Sequence, residues 1–338
     1  MAFVGTKRGE RAPMSDMRRR EFVTLLGSAA VAWPLAASAQ QLDRVRQISV
    51  LMGVSASDSD ARPRIAAFEQ TLRDLGWISS RNIRIDYRWP AEEVEQLQKL
   101  AKDVVASGSE IVVATGTAWV AAVLRVTTTP IVFVLVSDPV ENEVCPSQGG
   151  FSNLVGSIGG KWLQTLRELA PRLNRAAMLF NPRTAAGHGS NFLHSFEGAA
   201  RSFGLTPIAA PVRSAADDVA ISALGYEPGG GLVVMSDQFL TVHRELIVTL
   251  AAKHHVPAIY PFRSFVTNGG LMSYGVSTVD LYRRSASYVD RILRGEKPGE
   301  LPVQGPTRFE RAINLTAAKA LGLEVPPVLL ATADEVIE

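Results

Sequence analysis

Six short polar turns, each following an apolar run, carry the residues of this sequence that could do chemistry. They are Gly53-Val54-Ser55-Ala56-Ser57, Thr115-Gly116-Thr117, Ser137-Asp138-Pro139, Asn181-Pro182-Arg183-Thr184, Ser236-Asp237-Gln238 and Phe262-Arg263-Ser264-Phe265. Hydroxyls and free backbone N–H groups at helix starts suit a carboxylate. Asp138 or Asp237 suits an ammonium group. Together the turns suit a small polar or zwitterionic molecule, with Ser55, Ser57, Thr115, Gly116, Thr117, Asp138, Asn181, Asp237, Gln238 and Tyr274 as candidate ligand-binding residues.

Each candidate also has a purely structural reading. Ser57, Thr117 and Asp237 are residue types that cap helices wherever one begins. Asp138 before Pro139 is ordinary turn chemistry. Tyr274 and Trp119 read first as packing residues, because buried aromatics usually belong to a core. The case for a site is convergence, since ligands of open α/β sheets sit beyond the carboxyl ends of the strands.

Enzyme signatures are poor. The first strand exits into MGVSAS with one glycine, so the dinucleotide fingerprint is missing, as are a P-loop and a G-x-S-x-G elbow. The five histidines (His188, His194, His243, His254, His255) lack metal-ligand spacing with an acidic neighbour. Cys145 is the only cysteine, which excludes an intramolecular disulfide, a Cys-rich zinc site and a two-cysteine racemase. No cofactor, no metal and no enzymatic activity are expected.

The elements that must position these turns alternate along the chain. QISVLM (47–52), NIRIDYRW (82–89), EIVVA (110–114) and PIVFVLV (130–136) read as strands. Helical stretches at 61–76, 92–107 and from Ala118 separate them. Near-continuous apolar strands between amphipathic helices predict a parallel sheet covered on both faces. After an irregular Gly-rich passage, QGGFSNLVGSIGG (148–160), the pattern restarts. Strands are expected at 176–180, 205–210, 231–235 and 257–260, with helices at 161–170, 191–203, 215–224 and from SDQFLT to His255. A strand at 269–275, a helix at 279–294, an extended LPVQGP linker (301–306) and one more strand and helix complete the chain. Two α/β units sharing leftover pieces imply lobes joined by several crossings, which makes a hinge.

Of the chain's 35 Lys/Arg and 33 Asp/Glu, six and three lie within residues 1–40, leaving 29 and 30 in the body. A near-neutral body argues against nucleic acid as partner. Arg18-Arg19-Arg20-Glu21-Phe22, the apolar stretch that follows and Ala37-Ser38-Ala39 make residues 1–40 a secretory signal of twin-arginine type with an N-terminal extension. Processing is expected near Ala39-Gln40. The apolar stretch is short for a membrane span and contains Pro34.

TTTPIVFVLVSDPV, SDQFLT, GGLMSYG, the run DLYRRSASYVDRILRGEKPGELPVQGPTRFERAINLTAAKALGLEVPP and the end LLATADEVIE resemble the ABC-transporter substrate-binding family, which includes tryptophan-binding TrpX-like proteins. The resemblance runs from about Val45 to Glu338. It implies the periplasmic-binding-protein fold of the first type: two Rossmann-like lobes with parallel sheets, joined by a three-stranded hinge, with ligand in the cleft between. The lobes are expected at 42–158 plus 270–303 and at 159–269 plus 304–338. By position, Thr115-Gly116-Thr117, Asp138 and Asp237 fall on the family's cleft turns. The implied partners are a small-molecule solute, an amino acid or related small carboxylate, and an inner-membrane permease with its ATPase. The implied setting is the periplasm, and the implied state is a monomer. The alternative role is a periplasmic sensor signalling to a membrane receptor. The segment ENEVCPSQGGFSN (141–153) departs from the family's usual small-residue continuation.

Overall fold

The computed structural model describes residues 1–2, 45–89, 94–137, 139, 148–152, 156–214 and 219–338. Arg46–Glu338 forms one compact unit. Apart from Met1 and Ala2, the signal expected at 1–40 lies outside the described residues, as do the candidate ligand group Asp138 and Cys145.

The first sheet contains β1 (Arg46–Leu51), β2 (Ile83–Arg88), β3 (Ile111–Thr115), β4 (Ile131–Val136) and β5 (Gly149–Ser152), with β11 (Val303–Gln304) on its edge. Its order is β11-β5-β4-β3-β1-β2, and every pairing is parallel. The helices α1 (Ala61–Asp74), α2 (Val94–Ala106) and α3 (Thr117–Leu124) connect these strands. All six residues of β4 and all five of β3 are buried, which explains their unbroken apolar sequence.

The second sheet contains β6 (Arg175–Phe180), β7 (Thr206–Pro211), β8 (Gly230–Val234), β9 (Ala258–Tyr260), β10 (Met272–Val276), β12 (Phe309–Asn314) and β13 (Glu335–Ile337). Its order is β13-β12-β10-β9-β8-β6-β7, with only the β10–β12 pair antiparallel. Its helices are α4 (Ile158–Leu169), α5 (Ser190–Ser202), α6 (Val219–Gly225), α7 (Gln238–Val242), α8 (Arg244–Lys253) and α9 (Arg263–Thr267). α10 (Thr278–Leu293), α11 (Leu315–Ala320) and α12 (Pro327–Ala331) follow. The α/β class with two mostly parallel sheets is thus as expected from the alternation.

Several local readings change. QGGFSNLVGSIGG is not wholly irregular, because Gly149–Ser152 forms β5 and Ile158 opens α4. Two glycines read as loop, yet a Cβ on Gly150 would lie 2.3 Å from the Phe133 carbonyl oxygen, so this strand position excludes a side chain. The helix expected from SDQFLT to His255 is two helices, broken at His243 (φ −93°, ψ 20°). The LPVQGP linker contributes a strand, β11, parallel to β5. Met272–Val276, placed with the first lobe on sequence grounds, pairs with β9 and β12 and so belongs to the second sheet.

α10 returns the chain to the first lobe and lies along α1. Its apolar face buries Leu281, Tyr282, Ala286, Val289 and Leu293, and the Leu and Val side chains are each worth roughly 1.5–3 kcal/mol when fully removed from water. Ser277 caps it by accepting from the Asp280 N–H at 3.4 Å. The opposing face of α1 buries Ala61, Arg64, Phe68 and Leu72. A charged residue in that stripe is the anomaly of the helix.

Three chain passages join the lobes: 152 to 158, 276 to 278 and 304 to 309. The second and third are bonded to each other. β5 pairs with β11 beside the first and third, and the Ser277 N–H donates to the Arg308 carbonyl at 3.0 Å between the second and third. Arg284 on α10 donates to Gly305 O and Thr307 Oγ1, both at 3.2 Å, and lies over the Phe151 ring at 4.9 Å.

Candidate functional site

The order of each sheet reverses once, where β1 lies between β2 and β3 and where β6 lies between β7 and β8. At such points successive connections leave to opposite faces, and a crevice opens beyond the strand ends. Gly53 follows β1, Thr115 ends β3, Asn181 follows β6 and Ser236 follows β8. The two crevices contribute to one cleft. Gly53, Arg64, Thr115, Gly116, Thr117, Leu135 and Ser137 form its first wall, and Thr184, Ala186, Ser236, Asp237, Gln238, Thr241 and Phe262 its second. It contains about 490 Å³ of non-atom space, part of it open to solvent.

The first wall is held from behind. Thr115 Oγ1 lies 2.6 Å from the hydroxyl of the fully buried Tyr282. Burial pushes the Tyr282 phenol pKa up, against the opposing influence of Arg64, Thr115 and the Gly53 backbone, so the hydroxyl stays protonated. Gly116 (φ +89°) makes the turn into α3 in a region that favours glycine. The Ser137 N–H donates to Thr117 Oγ1 at 3.3 Å. Leu135 has φ +58°, and the β4–β5 register shifts there between Val134 and Val136. Such a bulge re-aims the strand exit, here at Ser137.

The second wall is organised around Asp237, which is 5% exposed. Oδ1 accepts from Thr184 Oγ1 at 2.8 Å and from the Leu240 N–H at 3.1 Å, and Oδ2 accepts from the Asn181 N–H at 3.1 Å. The carboxylate therefore caps α7 and ties the exit of β6 to that of β8. Burial raises its pKa to about 6, and the hydrogen bonds from Thr184, Leu240, Asn181 and Phe239 only partly offset this.

Among the described residues, two polar contacts span the cleft. Gln238 Nε2 donates to the Gly53 carbonyl at 2.7 Å. Arg244 on α8 pairs with Asp58, in the segment after β1, at 2.6 Å.

Of the sequence candidates, Thr115, Gly116, Thr117, Asp237 and Gln238 line the cleft together. Asn181 is buried beside them, with its Oδ1 accepting from the Arg183 N–H at 2.8 Å, and does not line it. Ser55 and Ser57 are exposed, their hydroxyls 3.2 Å apart. Tyr274 stands away from the lining, its ring stacked on Phe309 at 5.7 Å and facing Arg311 at 5.4 Å. Trp119 is fully buried in the first-lobe core. Ser137, Thr184, Ser236 and Phe262 belong to the quoted turns without having been singled out. Arg64 and Thr241 come from helices, where strand-exit logic does not look. The signal for Arg64 was its place one turn before Phe68 on the apolar face of α1.

Two parallel-sheeted lobes joined by three passages, with a polar cleft at facing switch points, define a two-lobed binding protein of the first periplasmic type. The model of the family described as ABC transporter substrate binding protein matches residues 47–337, and the chain belongs to that family. A tyrosine-binding protein of Clostridioides difficile is 22% identical over 267 residues, covering 76% of each chain. Among solved structures, a conserved domain protein from Vibrio cholerae matches with TM-score 0.78 at 22% identity, over 87% of this chain and 100% of that one. An ABC domain in complex with L-Trp from Streptococcus pneumonia matches with TM-score 0.77 at 19% identity, over the same shares. Among the described residues, no helix is long and apolar enough to cross a membrane.

Proposed function

We propose that the protein is the solute-binding receptor of an ABC importer, without enzymatic activity of its own. It captures an amino acid or a related small carboxylate between its lobes and delivers it to an inner-membrane permease and its ATPase. The observation that carries this reading is the two-sided cleft, with the Thr115–Thr117 turn on one wall and Asp237 with Gln238 on the other. A solute touching both walls stabilises the closed arrangement, and that arrangement docks on the permease. The tyrosine-binding relative and the L-Trp complex support the amino-acid class. The twin-arginine-like segment at 18–22 supports export to the periplasm.

The test is thermal unfolding of the chain from Gln41, unfolded and refolded beforehand to strip co-purified solute. A panel of amino acids, aromatic acids and other small carboxylates is then screened. A solute at 100 times its Kd stabilises the folded state by about 2.7 kcal/mol, a readable shift. A selective, saturable shift lost in Asp237→Ala supports the receptor. No shift anywhere in the panel removes the amino-acid reading.

A further inference from the structure

Arg64 is the one cation among the described residues that line the cleft. It is 2% exposed and comes from the first turn of α1 rather than from a strand end. Burying a guanidinium is costly unless its charge is paired and its donors are used. Two of its nitrogens are used: Nε donates to Thr278 Oγ1 at 3.1 Å and Nη2 to Asp60 Oδ2 at 3.0 Å. Nη1 makes no hydrogen bond among the described residues. A guanidinium presents five donors in a planar fork, so more donors are available than the protein consumes.

We propose that this fork receives the carboxylate of the solute, an inference that rests on the receptor reading above and names the chemical class that the site selects. A carboxylate matches the fork in shape and charge. Asp60 offsets the buried charge through Nη2 and leaves Nη1 free for that role. Asp237 stands on the opposite wall of the same cleft, so a zwitterion meets a cation from one lobe and a carboxylate from the other. The site therefore reads the acid function itself, and an amide or amine of the same side chain is refused. Thr278 gives the contact a second consequence. It is the first residue of α10, directly after the 276–278 passage, so the group that holds the solute is also tied to the hinge.

The experiment is titration calorimetry on the protein purified as the cell exports it, refolded free of solute. The probes are L-tryptophan, L-tyrosine, L-alanine and L-serine, each with its primary amide and its decarboxylated amine. The wild type is expected to prefer the acid by about 100-fold or more, the scale of losing one partner of a buried charge pair. Arg64→Gln is expected to reduce acid affinity by a similar factor and to compress the acid-to-amide ratio to near one. Arg64→Lys restores part of the ratio. An acid-to-amide ratio near one in the wild type overturns the inference without any variant, as does an Arg64→Gln protein that keeps the wild-type ratio. Both outcomes leave the receptor reading standing. Silence across every acid overturns the amino-acid reading and this inference together.

Discussion

The Arg244 guanidinium and the Asp58 carboxylate meet at 2.6 Å across the mouth of the cleft, with side chains 9% and 2% exposed. Asn268 Oδ1 and the Thr241 carbonyl, both at 3.2 Å, hold the guanidinium in place from the second lobe. Asp58 also accepts the Asp60 N–H at 2.9 Å, so the first-lobe partner is fixed too. The pair therefore connects two pre-set positions rather than two free side chains.

Removing one member leaves the other buried and uncompensated, a loss of about 3–5 kcal/mol to the arrangement that buries it. Opening the cleft relieves that penalty without unfolding either lobe. Arg244→Gln is accordingly expected to enlarge the ligand-free radius of gyration in X-ray scattering and to weaken solute binding, while the melting temperature moves little. Arg244→Gln with Asp58→Asn should recover much of the compact form. Superimposable scattering curves for wild type and single variant would show that the pair does not hold the cleft shut.

Gly53 gives a steric test of the other cross-cleft contact. A Cβ there would lie 2.9 Å from Thr115 Cγ2 and 3.3 Å from Gln238 Oε1. Gly53→Ala should displace the Gln238 side chain from the Gly53 carbonyl and lower solute affinity, with dissociation accelerated more than association is slowed. Surface plasmon resonance separates the two rates. An unaltered dissociation rate counts against Gln238 as a cross-cleft clasp.

Asp237 makes a pH prediction. Its folded pKa, near 6, is above the ordinary 3.8. The group thus favours the folded state fully at pH values below its unfolded pKa, and that contribution is lost as pH rises through 6. The difference amounts to roughly 3 kcal/mol. Urea unfolding between pH 4 and 7.5 should show this decline in the wild type and a flatter profile in Asp237→Asn. Binding of an amine-bearing solute runs the other way, because the ammonium needs the ionised carboxylate. Its affinity should rise with pH through about 6, and a pH-independent affinity would remove Asp237 from the ammonium role.

Thr115 tests the support behind the first wall. Thr115→Val removes the 2.6 Å partner of the Tyr282 hydroxyl inside the core and leaves it only the weak acceptor Met52 Sδ at 3.5 Å. It should lower unfolding free energy by about 1–3 kcal/mol. Tyr282→Phe leaves the Thr115 hydroxyl able to turn toward the cleft and should be milder. Equal losses in the two variants, measured by urea unfolding, would contradict this asymmetry.

Much of this was legible in the chain because burial on both faces writes itself as unbroken apolar runs, as in IVVAT and IVFVLV. Strand exits were legible for the same reason, and five of the quoted candidates meet in the cleft. Other features left no periodic trace. β5 begins with two glycines, whose lack of side chains is a requirement of close packing rather than a mark of a loop. The bulge at Leu135 is a backbone event inside a sequence that reads as plain strand. Tyr274 reads first as a packing residue, with ligand contact as the alternative, and its ring lies against Phe309 and Arg311. Arg64 was visible only as a charge out of place on an apolar helix face, and its meaning depends on what stands opposite.

Three interlobe passages, the second and third joined by the Ser277 N–H on the Arg308 carbonyl, limit how the molecule can move. One tether would let the lobes tumble, and two would still let them swivel about the line between them. Three tethers leave bending across them as the soft direction. A solute therefore works against a single angular coordinate, and the angle at which the lobes come to rest is a direct gauge of how well the solute fits.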